Sequence, residues 1–600
     1  MTAASAWKAA GRALLAKMVA EWSYEGMVEP VAATVAGDGG GDDGGAGGDR
    51  GRDAEWRIEL GGARYAFRGR RGAFGSWVVD PASLTRGGEP ADDPVRFVLD
   101  ARAVLGLDGV TTCEVVRDLV ATQLADTRIA ARALPAAATA ELSYEELESH
   151  QGGHPCLVLN KGRLGFSAAD AARYAPEAAR PLRLRWVAVA AGMARTASTT
   201  GGHGELVASE LDAGTRRRFT ARLRQEGGHA GDRWVWLPVH PFHWDEAVAT
   251  LLGGEVAAGR IVLLGEAPDR YLPLQSVRTL TNLDRPERLD VKLPLLVRNT
   301  LVWRGLAPRP TEAAPAVTAW LHQRLAGDAF LRDECRMVVL GEVASATVRG
   351  HVYEQVPDAP YRYHELLGAL WREPVRRYLA AGERARTMAS LLHVGADGRP
   401  LVAELVARSG LGAEAWLGRL FEAVLPPLLH WLYRYGVAFC PHGENTVVVF
   451  DAAEAPVRIA VKDLAEDVNL LPGPLPEQGH LPAEADAVLL RWGPHQLRHS
   501  VLSAVLAGHL RFLAPLVEAA AGVPEARFWA LARRVVDRHH RRFPELARRV
   551  ARFGILDVEV ERVCLNREQL AGGGFHDRAD KDQSFDVTAG TVPNPLRAGG

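Results

Sequence analysis

His442, Glu444 and Asn445 sit in the stretch Pro441-His-Gly-Glu-Asn445, directly before the apolar run Thr446-Val-Val-Val-Phe450; a polar turn and a second run, Val457-Arg-Ile-Ala-Val, lead to Lys462-Asp463. Two β-branched runs joined by a short Pro-containing loop predict a hairpin. Positions 445 and 463 are equidistant from 454, so an in-register hairpin sets Asn445 opposite Asp463. An amide oxygen and a carboxylate are hard ligands suited to Mg2+, and protein kinases use an Asn and an Asp in this way. The chemistry indicated is an ATP–Mg2+ site, with Glu466 and Asp467 able to add a metal ligand or simply to open a loop.

Cations for a polyphosphate occur upstream. Gln275-Ser276-Val277-Arg278-Thr279 offers two hydroxyls and a guanidinium within four residues, a donor set for phosphate or carboxylate. Lys292 enters an apolar run and either meets an anion or is an edge-strand lysine kept for solubility; Thr300 and Arg304 follow it. Lys161 and Arg163 come two apart after His154-Pro155 and the apolar run Cys156–Leu159. In extended chain they point the same way, which suits a polyphosphate; the plainer reading is a solvated charged face. No G-x-x-x-x-G-K-[ST] loop and no G-x-G-x-x-G occurs, and H-R-D and D-F-G are missing. His442-Gly-Glu-Asn lacks a catalytic-base Asp, so phosphoryl transfer to a hydroxyl is disfavoured.

These groups must be carried by a large soluble framework. Six hundred residues exceed a single core, and 47% hydrophobic with 24% charged residues is an ordinary globular composition. A net charge of −2 argues against general binding to nucleic acid or an anionic membrane. Five scattered cysteines without a C-x-x-C pair indicate neither a disulfide framework nor a zinc knuckle, and the cytoplasm is the expected compartment. No signal peptide and no 18-residue apolar span is read.

The spacing predicts a helix over 5–25, then short strands at 29–36, 55–60, 63–68 and 73–79, with a disordered, functionless hairpin tip at Gly37–Asp53. Helical spacing covers 94–134 and 138–149, and a strand covers 156–159. The middle third reads as an antiparallel sheet (234–239, 261–264, 291–296, 337–348) with flanking helices. After Tyr361 the pattern is mostly helical (363–378, 382–393, 413–435, 484–550) apart from the hairpin. Soft boundaries fall near 190 and 375, and the fold class is α+β.

The chain resembles the siderophore synthetases that work independently of nonribosomal peptide synthetases, the IucA/IucC family. The resemblance rests on His154-Pro155, Lys161-x-Arg163-x-Gly165-Phe166, Leu237-Pro-Val-His240-Pro241, Gln275-Ser-x-Arg278-Thr279, Lys292, Arg304-Gly-Leu306, Ala369-Leu-Trp-Arg372-Glu373, Pro441-His-Gly-Glu-Asn445, Lys462-Asp463 and Cys564-Leu-Asn-Arg567-x-Gln569-Leu570. It implies a three-part cradle: a thumb over 1–190, fingers with an antiparallel sheet over 191–375, and a helical palm over 376–600 holding a kinase-like metal-binding hairpin at 437–463. A homodimer is implied, as is AMP-forming chemistry with ATP and Mg2+ that joins a small-molecule carboxylate to a polyamine or hydroxylamine. By the same resemblance Ser276, Arg278, Thr279, Lys161, Lys292, His442 and Asn445 hold ATP, with His154, Arg163, Thr300 and Glu444 in that set. Asp463, Asn445 and Glu466 bind the metal, and Arg304, Thr279 and His442 face the acyl substrate. Pro441–Asn445, Thr387–His393 and the Cys564-Leu-Asn-Arg567 tail resemble the subgroup using citryl monoamides or N-succinyl-(hydroxy)diamines; the free-citrate subgroup carries a His-Gln-Gln-Asn-like version. The residues alone leave a non-catalytic ATP-binding module and a phosphotransferase as competing readings. Pro294 and the glycine-rich insertion depart from the family pattern.

Overall fold

The computed structural model describes residues 3–33, 53–226, 234–571 and 587–597. The expected tip at 37–53 therefore lies outside the described residues except for Asp53. Helix Ala3–Tyr24 packs on an antiparallel sheet built mainly from Ala54–Leu60, Ala63–Arg71 and Trp77–Val79. Alternation in Ala54-Glu-Trp-Arg-Ile-Glu-Leu60 buries Trp56, Ile58 and Leu60 against that helix while the charged residues face out. One apolar core runs from Leu14 through this sheet to Leu596, so N-terminal and C-terminal thirds pack together.

The central element is an eight-stranded sheet whose neighbours are all antiparallel: Ala194–Ser198, Glu342–Val348, Gly368–Arg372, Asp290–Lys292, Thr279–Asn282, Ile261–Pro273, Leu182–Ala190 and Trp234–Val239, in that order. It has its own core, including Leu184, Val187, Leu280, Val291 and Trp371. A four-stranded sheet carries the hairpin, in the order Val338–Val339, Pro456–Val461, Thr446–Phe450, Arg384–Thr387, the first pair being parallel. The α+β class holds.

Several expected elements differ. The helix expected at 363–378 contains strand Gly368–Arg372, buried on both faces inside the large sheet, so its apolar run shows no alternation. The helix expected at 382–393 is strand Arg384–Thr387 followed by a single turn, Met388–Leu392. The strand expected at 156–159 is irregular backbone, with the Val158 N–H given to the Asn566 side chain. The strand expected at 291–296 is broken into Asp290–Lys292 and Leu295–Asn299 by Pro294, which has no N–H for a ladder. Helix Pro494–Ala521 has, against the sequence reading, the length and hydropathy to cross a membrane, but 78% of its apolar window is buried. Leu497, Val501, Val505, Leu510, Leu513 and Val517 are all spent on the core.

Candidate functional site

The hairpin forms, one residue out of the expected register. Thr446 pairs with Val461 and Val449 with Arg458, but Phe450 pairs with Pro456 across an irregularity. Pro456 has no N–H to donate, and the ladder shifts there. With Thr446 opposite Val461, Asn445 lies opposite Lys462, whose N–H donates to the Asn445 carbonyl at 3.1 Å. Asp463 is the next residue and turns out of the ladder with a left-handed φ of 62°. The expected Asn445–Asp463 opposition is thus replaced: the Asn445 amide donates to Asp467 at 2.8 Å, and Asp463 turns toward the large sheet.

That sheet supplies cations on two adjacent strands, Lys292 and Arg372, and at the start of a third, where Arg278 precedes Thr279. Thr279 pairs with Lys292, and Asp290 pairs with Arg372 on the next strand. The strand of Lys292 is thus internal to the sheet, which removes the edge-lysine reading. Its Nζ lies 3.2 Å from Asp463, 3.6 Å from Glu466 and 3.8 Å from Glu342. Arg372 bonds Asp290 at 2.9 Å and stands 3.7 Å from Asp463. Arg278 donates to Glu466 at 2.9 Å and to the Gly305 carbonyl. The Thr279 hydroxyl donates to Ser276 at 3.2 Å, and this turn is held by Gln275, whose N–H donates to Glu148 at 2.7 Å.

Burial raises the Asp463 pKa, but Lys292, Arg372, Lys462 and Arg278 outweigh it and hold the carboxylate well below its usual range. For Asp467 the balance goes the other way: burial and the charges of Asp463 and Glu466 outweigh Lys292 and the Asn445 hydrogen bond and push it up to about 7. Lys462 is 2% exposed and its ammonium has no hydrogen-bond partner among the described residues. Sequence reading assigned no role to Arg372, Lys462 or Glu342, although the first two stood within quoted motifs. A buried charge without a partner is costly, which was the signal available in Lys462 at the end of an apolar strand.

His442 Nδ1 accepts from the Glu444 and Asn445 N–H groups, both at 3.3 Å. Burial lowers its pKa, which favours the neutral ring, and with Nδ1 accepting, the proton of that form sits on Nε2. A Cβ at Gly443 would stand 3.1 Å from the Ala389 backbone, a tight approach, and the Ala389 N–H bonds the Gly443 carbonyl. The His154 ring lies 6.4 Å from that of His442, and burial, with the charge of Lys17 adding to it, lowers its pKa to about 3. Lys161 bonds Asp126 at 2.7 Å and the Gly152 carbonyl. Arg163, with φ 42°, turns away into a buried ion pair with Glu177. The two cations expected to share one face therefore have separate carboxylate partners.

Thr300 and Arg304 belong to the hairpin Leu295–Asn299 and Val302–Arg304. Arg304 donates to the Asn299 carbonyl at 3.0 Å and to the Thr300 hydroxyl at 2.6 Å, and no carboxylate is within ion-pair distance among the described residues. Burial and the charge of Arg278 lower its pKa, the signature of a cation short of an anion. Gly305 allows Glu365 to pack against the backbone there, since a Cβ would collide with that side chain.

Asp463, Glu466, Asp467 and the Asn445 amide oxygen are hard oxygen donors crowded enough to raise a carboxylate pKa, which fits a divalent cation of the Mg2+ type. Among the described residues no three carboxylate, His or Cys side chains stand in metal-binding geometry; Asp463 and Glu466 are turned to Lys292 and Arg278.

The model of the IucA/IucC family matches residues 143–393, and that of the "Ferric iron reductase FhuF-like transporter" matches 414–576. The rhizobactin siderophore biosynthesis protein RhbF of Rhizobium meliloti is 34% identical over 99% of this chain and 96% of its own length. Aerobactin synthase of Escherichia coli is 35% identical over 94% of each. The chain belongs to the IucA/IucC family. Among solved structures, aerobactin synthetase IucC of Klebsiella pneumoniae superposes on this IucA/IucC protein with a TM-score of 0.85 at 32% identity, covering all of both chains. The petrobactin biosynthesis protein AsbB of Bacillus anthracis shares the fold, with a TM-score of 0.84 at 24% identity over 99% and 96% of the two chains. In this IucA/IucC protein Ser276, Arg278, Thr279, Lys292, Glu466 and Asp463 meet at one point, with the segment His442–Asn445 tied to it through Asn445 and Asp467.

Proposed function

We propose that this chain is an ATP-dependent siderophore synthetase. It adenylates a carboxylate of a citryl monoamide or succinyl-hydroxamate type substrate and condenses the acyl group with an amine or hydroxylamine, releasing AMP and pyrophosphate. The observation that supports this most is the concentration of Arg278, Lys292, Arg372 and the unpartnered Lys462 around Asp463 and Glu466. Attack of a carboxylate oxygen on the α-phosphate brings anion against anion. A site for it must present fixed cations where charge accumulates, in a buried setting where they count for more than in water.

In this reading Ser276, Arg278, Thr279, Lys292 and Asn445 bind the triphosphate, and pyrophosphate leaves as the acyl–oxygen–phosphorus bond forms. Arg304, whose guanidinium has no carboxylate within ion-pair distance among the described residues, takes the carboxylates of the acyl substrate, and the Nε2–H of His442 donates to its carbonyl oxygen. Attack of the amine nitrogen then forms the amide or hydroxamate and expels AMP. Mg2+ held by Asp463, Glu466 and Asn445 would neutralise charge on the triphosphate. The remaining parts of the reading are the thumb, fingers and palm over 1–190, 191–375 and 376–600, a homodimer, and a cytoplasmic setting without nucleic-acid or membrane partners.

The test is pyrophosphate release, with nucleotide products identified, over citrate, citryl monoamides and succinyl-hydroxydiamines, with and without added polyamines. AMP with a citryl monoamide or succinyl-hydroxydiamine is expected. ADP would make the protein a phosphotransferase, AMP with citrate alone a free-citrate ligase, and no turnover a binding module.

A further inference from the structure

The side chains of the C-terminal motif Cys564-Leu-Asn-Arg-Glu-Gln-Leu570 reach two loops that carry charged groups described above. Its helix, Leu565–Leu570, is fixed at its start by Glu25, which accepts from the N–H groups of Asn566 at 3.0 Å and Arg567 at 2.7 Å and from the Asn566 amide at 2.6 Å. Asn566 also donates to the Cys156 carbonyl at 2.9 Å and accepts from the Val158 N–H at 2.9 Å. The helix is thereby bolted to the end of helix Ala3–Tyr24 and to the segment that follows His154.

One turn further on, Gln569, 1% exposed, donates its amide N–H to the Thr300 carbonyl at 3.2 Å. Thr300 is a β-branched residue at φ 61°, a conformation such residues occupy only when their surroundings hold them there. Its hydroxyl accepts from Arg304 at 2.6 Å and donates to the Asn299 carbonyl at 2.5 Å. A relaxed Thr300 would swing that hydroxyl away and release the guanidinium.

We propose that Gln569 is a positioning residue: it holds Thr300 in its left-handed conformation so that the Thr300 hydroxyl aims Arg304 at the carboxylates of the acyl substrate. This rests on the reading of Arg304 as the carboxylate-binding group. Gln569 itself touches no reacting atom. Its effect is confined to one of the two substrates, which separates it from a residue that merely keeps the C-terminal segment folded.

The experiment uses the full chain and, as probe, the mono-n-butylamide of citrate. Gln569→Ala is expected to raise KM for the probe about tenfold, the scale of one lost buried hydrogen bond, with KM for ATP changed less than about twofold. Calorimetric binding of the probe without ATP is expected to weaken by the same factor. Gln569→Met keeps the volume, removes the donor and must show the same split, which covers a Gln569→Ala variant that does not fold. In a Thr300→Gly background, where glycine takes the left-handed conformation without strain, the added effect of Gln569→Ala should fall below about twofold. A wild type that neither binds nor uses the probe overturns the reading of Arg304 and this proposal with it. A wild type that binds it, with variants that bind equally well, that lose ATP affinity in parallel, or whose effects are fully additive with Thr300→Gly, overturns the role of Gln569 alone.

Discussion

Lys292 and Asp463, 171 residues apart in sequence, meet at 3.2 Å with Lys292 on an internal strand of the large sheet and Asp463 just past the hairpin. This contact joins the two halves of the candidate site. It depends on the left-handed turn at Asp463, without which the carboxylate would stay in line with the hairpin ladder.

Asp463→Asn removes the charge that balances Lys292 and Arg372 while keeping the side chain's shape. Pyrophosphate release should fall by at least about a hundredfold, the loss typical of one preorganised electrostatic group, with circular dichroism unchanged. Added Mg2+ should restore part of the activity. A folded variant with near-normal turnover and unaltered metal dependence would remove Asp463 from the site.

Arg304→Ala should raise KM for the acyl substrate far more than KM for ATP. A guanidinium paired with a carboxylate makes charge-assisted bonds worth about 1.5–3 kcal/mol, or roughly ten- to a hundredfold. Parallel loss of ATP affinity, measured by calorimetry with ATP alone, would assign Arg304 to the nucleotide instead.

What was legible in the sequence followed from local chemistry. Thr446–Phe450 and Val457–Val461 announce strands because β-branched residues fit a pleated, buried surface, Arg278 stands out beside two hydroxyls, and Lys292 stands out as a charge entering an apolar run. What was missed depends on distant partners. The ladder pairs Thr446 with Val461, so Asn445 faces Lys462 and not Asp463, and hydrophobic pattern does not encode that one-residue difference. Arg372 was hidden in a run read as helical, because a strand buried on both faces shows no alternation. Arg163 appeared to belong with Lys161 until Glu177 claimed it.

Gly305→Ala tests the close packing beside Arg278. The new Cβ would collide with Glu365 and disturb the carbonyl that accepts from Arg278. Overpacking of this kind costs about 1–3 kcal/mol, so thermal unfolding should shift downward and turnover should fall with it. An unchanged melting temperature and rate would mean that Glu365 moves aside freely.

The last prediction concerns acid stability. His509 is fully buried, neither ring nitrogen has a hydrogen-bond partner among the described residues, and burial alone lowers its pKa from 6.5 to about 3. A histidine whose folded pKa is depressed binds fewer protons in the folded than in the unfolded state. Its contribution to stability is therefore complete above about pH 6.5 and is lost as the pH falls from there toward about 3. By pH 5 this one group should have cost about 2 kcal/mol relative to neutral pH. His509→Phe fills a similar volume without a titrating nitrogen, so the variant should lose less stability than wild type between pH 7.5 and 5, by about that amount. Urea unfolding at the two pH values measures the difference directly. Equal pH dependence in the two proteins would show that the imidazole at 509 is not held neutral by burial.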